Sequence, residues 1–557
     1  MASTVKHNQS VPYTSRRSAV YGTHYMVSST QPLANQAGVR ILEQGGNAAD
    51  AAVAVAAAIN LAEPFSTGIG GDCFCLFYSA KDRTIRGLNG SGRAPSALTI
   101  DILKDRFGIT GDEVPARSVH AVTVPGAAAG WVDTVEAFGS GKVTLAEVLQ
   151  PAIEMCEEGV PVGELTSPFW RDAAEHLKKA SPHAHELLIH GQGPLPGQVF
   201  RNPTLANTFR RLASEGKRGF YQGTVADAIV EAVQSKGGVL THKDLAAHTT
   251  TFDEPISYEY RGHRLHECAP NGSGLVALIA LGVLEQLEAQ GVVTEMEHNS
   301  AEYLHLVIEI LRIAFADARQ FICDPAFGDV PVQQMLSPGY LKQRAQLFDP
   351  SKAAVDVKHG SPLGGSDTVY FTVVDKDGNA CSFINSLYHG FGSGIVPRGC
   401  GFALHDRGAL FRLDPTHPNC LEPSKRPYHT IIPAMVTKGG ELFMSYGIMG
   451  GYNQPQAHVQ VLLNMVVFGM NPQQALDSPR ISILVDEEGV VAVEEGVDGE
   501  VVDRLRQMGH NVKVEVGLQR SMFGRGQVIR RTVDAAAGVQ VLIAGSDPRS
   551  DGQAVGR

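Results

Sequence analysis

No stretch of this sequence is apolar for the roughly twenty residues that a membrane span needs. The most apolar run, Ala48 to Ala62, is shorter than that and contains Asp50 and Asn60. It reads as a buried helix. The N-terminus, Met1 to Ser10, lacks the apolar core of a secretory leader, so a cytoplasmic protein with no membrane contact is expected. Clustered Lys and Arg are missing as well. With a net charge of −11 and no basic run, nothing offers the footprint that phosphate backbones require, and no nucleic-acid partner is expected. The eight cysteines are scattered, without a Cys-x-x-Cys pair, which excludes the disulfide framework of small secreted domains. Cys73 and Cys75 flank Phe74 on one face of an expected strand and read as packed core thiols. Repeats and low-complexity arrays are absent too.

What is present is ordinary globular usage, 43% hydrophobic and 19% charged over 557 residues. Residues 1–24 are polar and Ser-rich and read as a loose arm. Pro32 to Gln44 has helical spacing, with Leu33, Ala37, Val39 and Leu42 apolar. Gly45 and Gly46 end that helix, Asn47 caps the next and Pro64 stops it. Gly68 to Gly71 turns into a strand over Phe74 to Tyr78, and Asn89 to Pro95 is a Gly-rich bend carrying Arg93. Residues 144–320 read as largely helical, with Ser300 to Phe321 the clearest amphipathic case. The pattern then fades into a linker, Lys358 to Asp367. Directly after it, Thr368 to Val374 is β-branched and aromatic, a strand signature. Asp377-Gly378 supplies a hairpin turn, and Ala380 to Leu387 returns.

A flexible linker thus abuts a core strand whose first residue is Thr368. As an internal residue this Thr is a good strand former and nothing more. As the first residue of a chain it carries an α-amino group that can accept its hydroxyl proton. That amine titrates near 7.7–8.0. Such chemistry requires cleavage between Asp367 and Thr368. An oxyanion would need donors, and Gly450 with Gly451 could supply backbone N–H groups, or could simply be a tight turn. Ser386, on the returning strand, could hold the nucleophile in place.

Taken together, these pieces resemble the γ-glutamyltransferase (glutathione hydrolase) family of N-terminal nucleophile hydrolases. The resemblance rests on the run from Gly45 to Val53, Gly68 to Gly71, Thr123 to Gly126, Asp367 to Asn379, Phe391 to Gly394, Gly450-Gly451 and Ser546 to Gly552. It implies an α/β (α+β) four-layer αββα sandwich. It also implies a proenzyme that splits into a large subunit, 25–367, and a small subunit, 368–557, which stay together as a heterodimer and could oligomerise further. It assigns Thr368 as nucleophile, Ser386 as supporting hydroxyl and Gly450 with Gly451 as oxyanion hole. No metal or organic cofactor is expected; the partner is a small-molecule amide.

Departures from the family pattern bear on the substrate. The positions that hold the γ-glutamyl ammonium in transpeptidases read Tyr388, Arg407 and Leu410. Arg93 is displaced from the family's carboxylate-binding position, and the lid between Phe411 and Lys425 is short. Ser382 to Gly394 resembles the acylase and amidohydrolase branch, whose members include cephalosporin (glutaryl) acylase-like and oxamate amidohydrolase-like enzymes. Arg93, Tyr388, His389, Arg407 and Tyr452 are therefore candidate ligands for a carboxylated acyl group. Arg407 could equally pair with Asp406 or Glu422 on the surface, and His405 and His429 read as structural. The competing class is a catalytically silent relative that binds a small molecule.

Overall fold

Alternating β-branched and aromatic residues make Asp367–Val374 a strand with two different faces. In the computed structural model, which describes residues 17–354, 367–484 and 489–557, Val369, Phe371 and Val373 pack into one apolar cluster and Tyr370 into another. This strand lies inside a six-stranded antiparallel sheet. Its order is Gln553–Gly556, Met26–Ser29, Asp367–Val374, Ala380–Tyr388, Asp72–Ser79, Thr84–Gly90. A seven-stranded antiparallel sheet faces it, in the order Val20–Gly22, Val539–Ser546, Gly526–Asp534, Glu441–Ile448, Ala434–Lys438, His263–Glu267, Ile256–Tyr260.

The apolar clusters follow these layers. Between the sheets lie Phe74, Leu76, Tyr370 and Ile384 from one side and Met435, Leu442, Ile529 and Leu542 from the other. Hydroxyl pairs also tie the sheets together; Thr372 Oγ1 meets Ser445 Oγ at 2.6 Å. The outer face of the six-stranded sheet is covered by helices such as Ala48–Ala62 and Ala127–Phe138. The outer face of the seven-stranded sheet is covered by Leu275–Ala289, Ala301–Phe321 and Asn453–Val466. The result is the αββα sandwich.

Ala48–Ala62 shows how the sequence dictates such a layer. Asn47 accepts hydrogen bonds from the N–H groups of Ala49 and Asp50, and Asp50 returns one from Asn47 N, a capping box. Every residue of the helix is buried, which its small side chains permit through close backbone approach.

Two sequence expectations differ from the structure. Val20–Gly22, assigned to the loose arm, is an edge strand paired antiparallel with Val539–Ser546; residues 1–16 of that arm lie outside the described residues. The region 144–320 contains a hairpin, Ile256–Tyr260 and His263–Glu267, that joins the seven-stranded sheet through Ala434–Lys438. Its alternating apolar positions are too few to stand out between long helices. Residues 358–366 of the expected linker also lie outside the described residues. Among those described, no helix is long and apolar enough to cross a membrane. All eight cysteines are buried and unbridged, with Cys75 Sγ 3.5 Å from Cys381 Sγ.

Candidate active site

Three side chains share one register row across the six-stranded sheet. Thr368 pairs with Ser386, and Ser386 pairs with Asp72 on the next strand. Directly opposed residues of antiparallel strands point to the same face, here the face toward the second sheet. Thr368 Oγ1 lies 3.0 Å from Ser386 Oγ, and both residues are fully buried.

A bulge shapes the end of this row. The register slips between Ser386 and Tyr388, and Tyr388 takes a positive φ of 80°. Its backbone N–H thereby turns back to donate to Ser386 Oγ at 2.9 Å. Arg407 Nη2 donates to the same oxygen at 2.8 Å. Those two donors and Thr368 Oγ1 all converge on one hydroxyl oxygen, which fixes the position of Ser386 beside the nucleophile candidate.

Arg407 is not the surface residue that a pairing with Asp406 or Glu422 would make it. It is fully buried, donates from Nη1 to Thr430 Oγ1 at 2.8 Å, and lies 4.4 Å from the centre of the Tyr388 ring. Burial pushes its pKa below the ordinary value, while Tyr388, Asp72 and Asp406 oppose that shift.

Asp72, which motif reading overlooked, anchors the far end of the row. Oδ1 accepts from Gly92 N and Gly126 N at 3.0 and 3.1 Å, and Oδ2 meets His429 Nε2 at 3.1 Å. Burial alone would raise its pKa, but His405, His429 and Arg407 together hold it below the usual carboxylate range. Burial and Arg407 push His429 down to about 3, against the pull of Asp72. His405 and His429 thus belong to the support of the row. The available signal was a carboxylate directly after Gly70-Gly71 and before an apolar strand.

The oxyanion candidates follow the strand Glu441–Ile448 of the other sheet. Gly450 and Gly451 have φ of 124° and 58°, conformations that favour glycine, and they lead into the helix Asn453–Val466. Among the described residues neither N–H has a hydrogen-bond acceptor within the protein. The positive end of the helix dipole adds to their pull on an anion.

The remaining candidates divide. Tyr452 directly follows the two glycines. His389 lies beside Tyr388, ring centres 4.1 Å apart, and its Nδ1 meets Asp406 Oδ2 at 2.7 Å. His389 Nε2 is buried and, among the described residues, has no hydrogen-bond partner. Asp406 is held down at about 2; burial opposes this, and the charge and hydrogen bond of His389 outweigh it. Arg93 donates to Thr249 O at 3.0 Å, and none of its hydrogen bonds reaches the Thr368 row. Away from this row, His305, Glu309 and His510 place ligand atoms within 4.8 Å of one another. His305 Nδ1 bonds His510 Nε2 at 2.7 Å, and Arg312 donates to Glu309 at 2.8 Å. A guanidinium inside the cluster opposes a cation, so these residues fit a hydrogen-bond network better than a metal centre.

An αββα sandwich with a hydroxyl at the head of a central strand fits the N-terminal nucleophile hydrolase class. The chain belongs to the gamma-glutamyltranspeptidase family, which it matches over residues 34–557, and it is an enzyme of that family. It is 37% identical over 549 residues to the glutathione hydrolase-like YwrD proenzyme of Bacillus subtilis (strain 168), covering 97% of this chain and 99% of that protein. It is 33% identical over 542 residues to the oxamate amidohydrolase proenzyme of Klebsiella pneumoniae subsp. pneumoniae, covering 96% and 98%. The crystal structure of cephalosporin acylase from Bacillus halodurans superposes with a TM-score of 0.88 at 39% identity, over 99% of each chain.

Proposed function

We propose that this chain is a self-processing amidohydrolase that cuts its Asp367–Thr368 bond and then uses N-terminal Thr368 to hydrolyse γ-glutamyl or related carboxylated acyl amides. The observation that carries the reading is the Thr368–Ser386 hydroxyl pair, 3.0 Å apart at a strand head, in a fold whose other sheet presents two glycine N–H donors. Relatives described as proenzymes support the processing step.

In the uncut chain Thr368 Oγ1 attacks the carbonyl carbon of Asp367. The C–N bond breaks, the hydroxyl proton ends on the departing nitrogen, and an ester and a free α-amine result. Water then opens the ester, leaving a carboxylate at residue 367 and a hydroxyl at Thr368. In turnover, the α-amine takes the Oγ1 proton as Oγ1 attacks the substrate amide. The N–H groups of Gly450 and Gly451 stabilise the oxyanion, a contribution of roughly 3–4 kcal/mol for one such donor. The amine leaves with the proton, and water hydrolyses the acyl-Thr368 ester. The large and small chains remain together as a heterodimer.

Arg407 serves as a positioning residue through Ser386. A hydrogen bond to a charged group is worth about 1.5–3 kcal/mol, so Arg407→Met is expected to lower kcat roughly 10- to 150-fold with little change in KM. Steady-state kinetics of the processed protein checks this. A rise in KM alone would instead make Arg407 a direct ligand of the substrate carboxylate.

The acylase or oxamate-amidohydrolase branch is favoured over γ-glutamyl transfer by one observation. Tyr388, Arg407 and Leu410 stand where an ammonium would need acceptors and negative charge. Transfer of a γ-glutamyl group to a dipeptide is therefore expected to be much slower than amide hydrolysis. A screen of γ-glutamyl, glutaryl and oxamic amides, with and without dipeptide acceptor, tests this. Rapid acceptor-dependent turnover would refute it.

A further inference from the structure

The buried guanidinium groups of this chain mostly face carboxylates. Arg480 pairs with Asp547, Arg549 with Glu494 and Asp547, Arg525 with Glu63, and Arg312 with Glu309. Arg319, in the last turn of Ala301–Phe321, does not. Its Nη1 and Nη2 are both buried, and among the described residues neither has a hydrogen-bond partner. An unpaired cation withdrawn from water is strongly disfavoured. Among the described residues, the face of Tyr452 compensates it, with the ring centre 5.6 Å from the guanidinium carbon.

The location of that ring ties Arg319 to the reaction. Tyr452 follows Gly451, so one face of the ring touches the guanidinium while its backbone continues the oxyanion loop. Tyr428 stacks against Tyr452 at 6.0 Å and 28°, and Phe315 meets it edge-on at 6.5 Å. The Tyr428 hydroxyl is buried, with Ser273 as its polar neighbour. Burial above all raises its pKa, which keeps it a donor. A cluster of aromatic rings next to the glycine pair thus sets one forked cation beside one phenolic hydroxyl. A planar monoanion on an apolar stem matches this set: a guanidinium fork takes a carboxylate with two parallel bonds, and the rings cover the methylenes. The other basic candidates are engaged, Arg407 Nη1 and Nη2 with Thr430 and Ser386 and Arg93 with Thr249 O.

We propose that Arg319 is the receptor for the distal carboxylate of the acyl group, so that the preferred substrates are half-amides of short dicarboxylic acids. The scissile carbonyl then lies at Thr368 and the free carboxylate reaches past Tyr452 to Arg319. This rests on the reading of Thr368 as an amide-hydrolysing nucleophile.

The test compares glutaryl-p-nitroanilide with pentanoyl-p-nitroanilide, which has the same chain length without the charge, in the processed protein and in Arg319→Met and Arg319→Lys. Glutarate binding is measured in parallel by calorimetry. In Arg319→Met the preference for the glutaryl over the pentanoyl substrate is expected to fall roughly 10- to 100-fold, mainly through KM. Glutarate affinity should fall by a similar factor, and Arg319→Lys should recover part of both. An equal loss on the two substrates, or no loss, overturns the assignment while leaving the amidohydrolase reading intact. Arg319-dependent glutarate binding in a protein that cleaves neither amide would do the reverse: the site would stand and the proposed activity would fall.

Discussion

Thr368→Ala is expected to leave the chain uncut and without amidase activity. The substitution removes Oγ1 and little else: the residue is buried, and its side chain contacts Ser386 at the end of the row. Both reactions assigned to Thr368 need the same oxygen, first against its own preceding carbonyl and then against a substrate. The expected loss of turnover is at least roughly a thousand-fold. Thr368→Ser keeps the hydroxyl and is expected to process. A denaturing gel shows one full-length band for the Ala variant and two bands divided at residue 367 for the parent. If Thr368→Ala still divided and still released amines, both the cleavage site and the nucleophile would be misassigned. If the parent itself remained one band, the silent-relative reading would be favoured.

The second large effect concerns acid. Thermal stability is expected to fall steeply as pH drops from 6.5 to 5. His248, His429 and His510 are held at about 3, in each case first by burial and then by a nearby Arg. His266 and His298 are held at about 4, again chiefly by burial. A histidine lowered in the folded state takes up its proton on unfolding. Below 6.5 the unfolded chain therefore binds more protons than the folded one, and stability falls with pH. At pH 5 each such group contributes about 2 kcal/mol to that loss. Carboxylates act differently: Asp406, held at about 2, loses its contribution as pH falls below the ordinary carboxylate range, whereas Glu267, Asp317 and Asp375, raised by burial, partly offset the histidine slope. Thermal midpoints measured from pH 7.5 to 5 check the slope. His248 offers a clean dissection, because among the described residues its two ring nitrogens have no hydrogen-bond partners, and its ring stacks on Tyr221 at 5.4 Å. His248→Phe keeps the stack, and it should flatten the slope by about one proton. A midpoint unmoved between pH 7 and 5 would contradict the whole account.

Much of this molecule was legible in its sequence where local chemistry and tertiary position agree. The strand from Thr368, the Asp377-Gly378 turn and the Asn47 cap each follow from residue types that suit one backbone conformation, and the structure has them. The hairpin Ile256–Tyr260/His263–Glu267 was not legible, because His263, Arg264, His266 and Glu267 break the apolar alternation. Arg407 was legible as a departure from the family pattern but not as a buried donor. Guanidinium groups are seldom fully buried, and here the partners are hydroxyls distant in sequence, Ser386 and Thr430. Arg319 gave no signal at all: one Arg near a helix end is ordinary, and only the fold sets it beside Tyr452.

The strand orders of the two sheets bear on what a cut before Thr368 would produce. In the six-stranded sheet, strands from before residue 367 lie on both sides of the Thr368 strand. In the seven-stranded sheet they form both edges around four strands from after it. A cut at the proposed bond would thus leave two interleaved products that could not part without tearing both sheets apart. Such a pair would have no dissociation equilibrium distinct from unfolding. Dilution would leave it assembled, and its lifetime would be that of the fold.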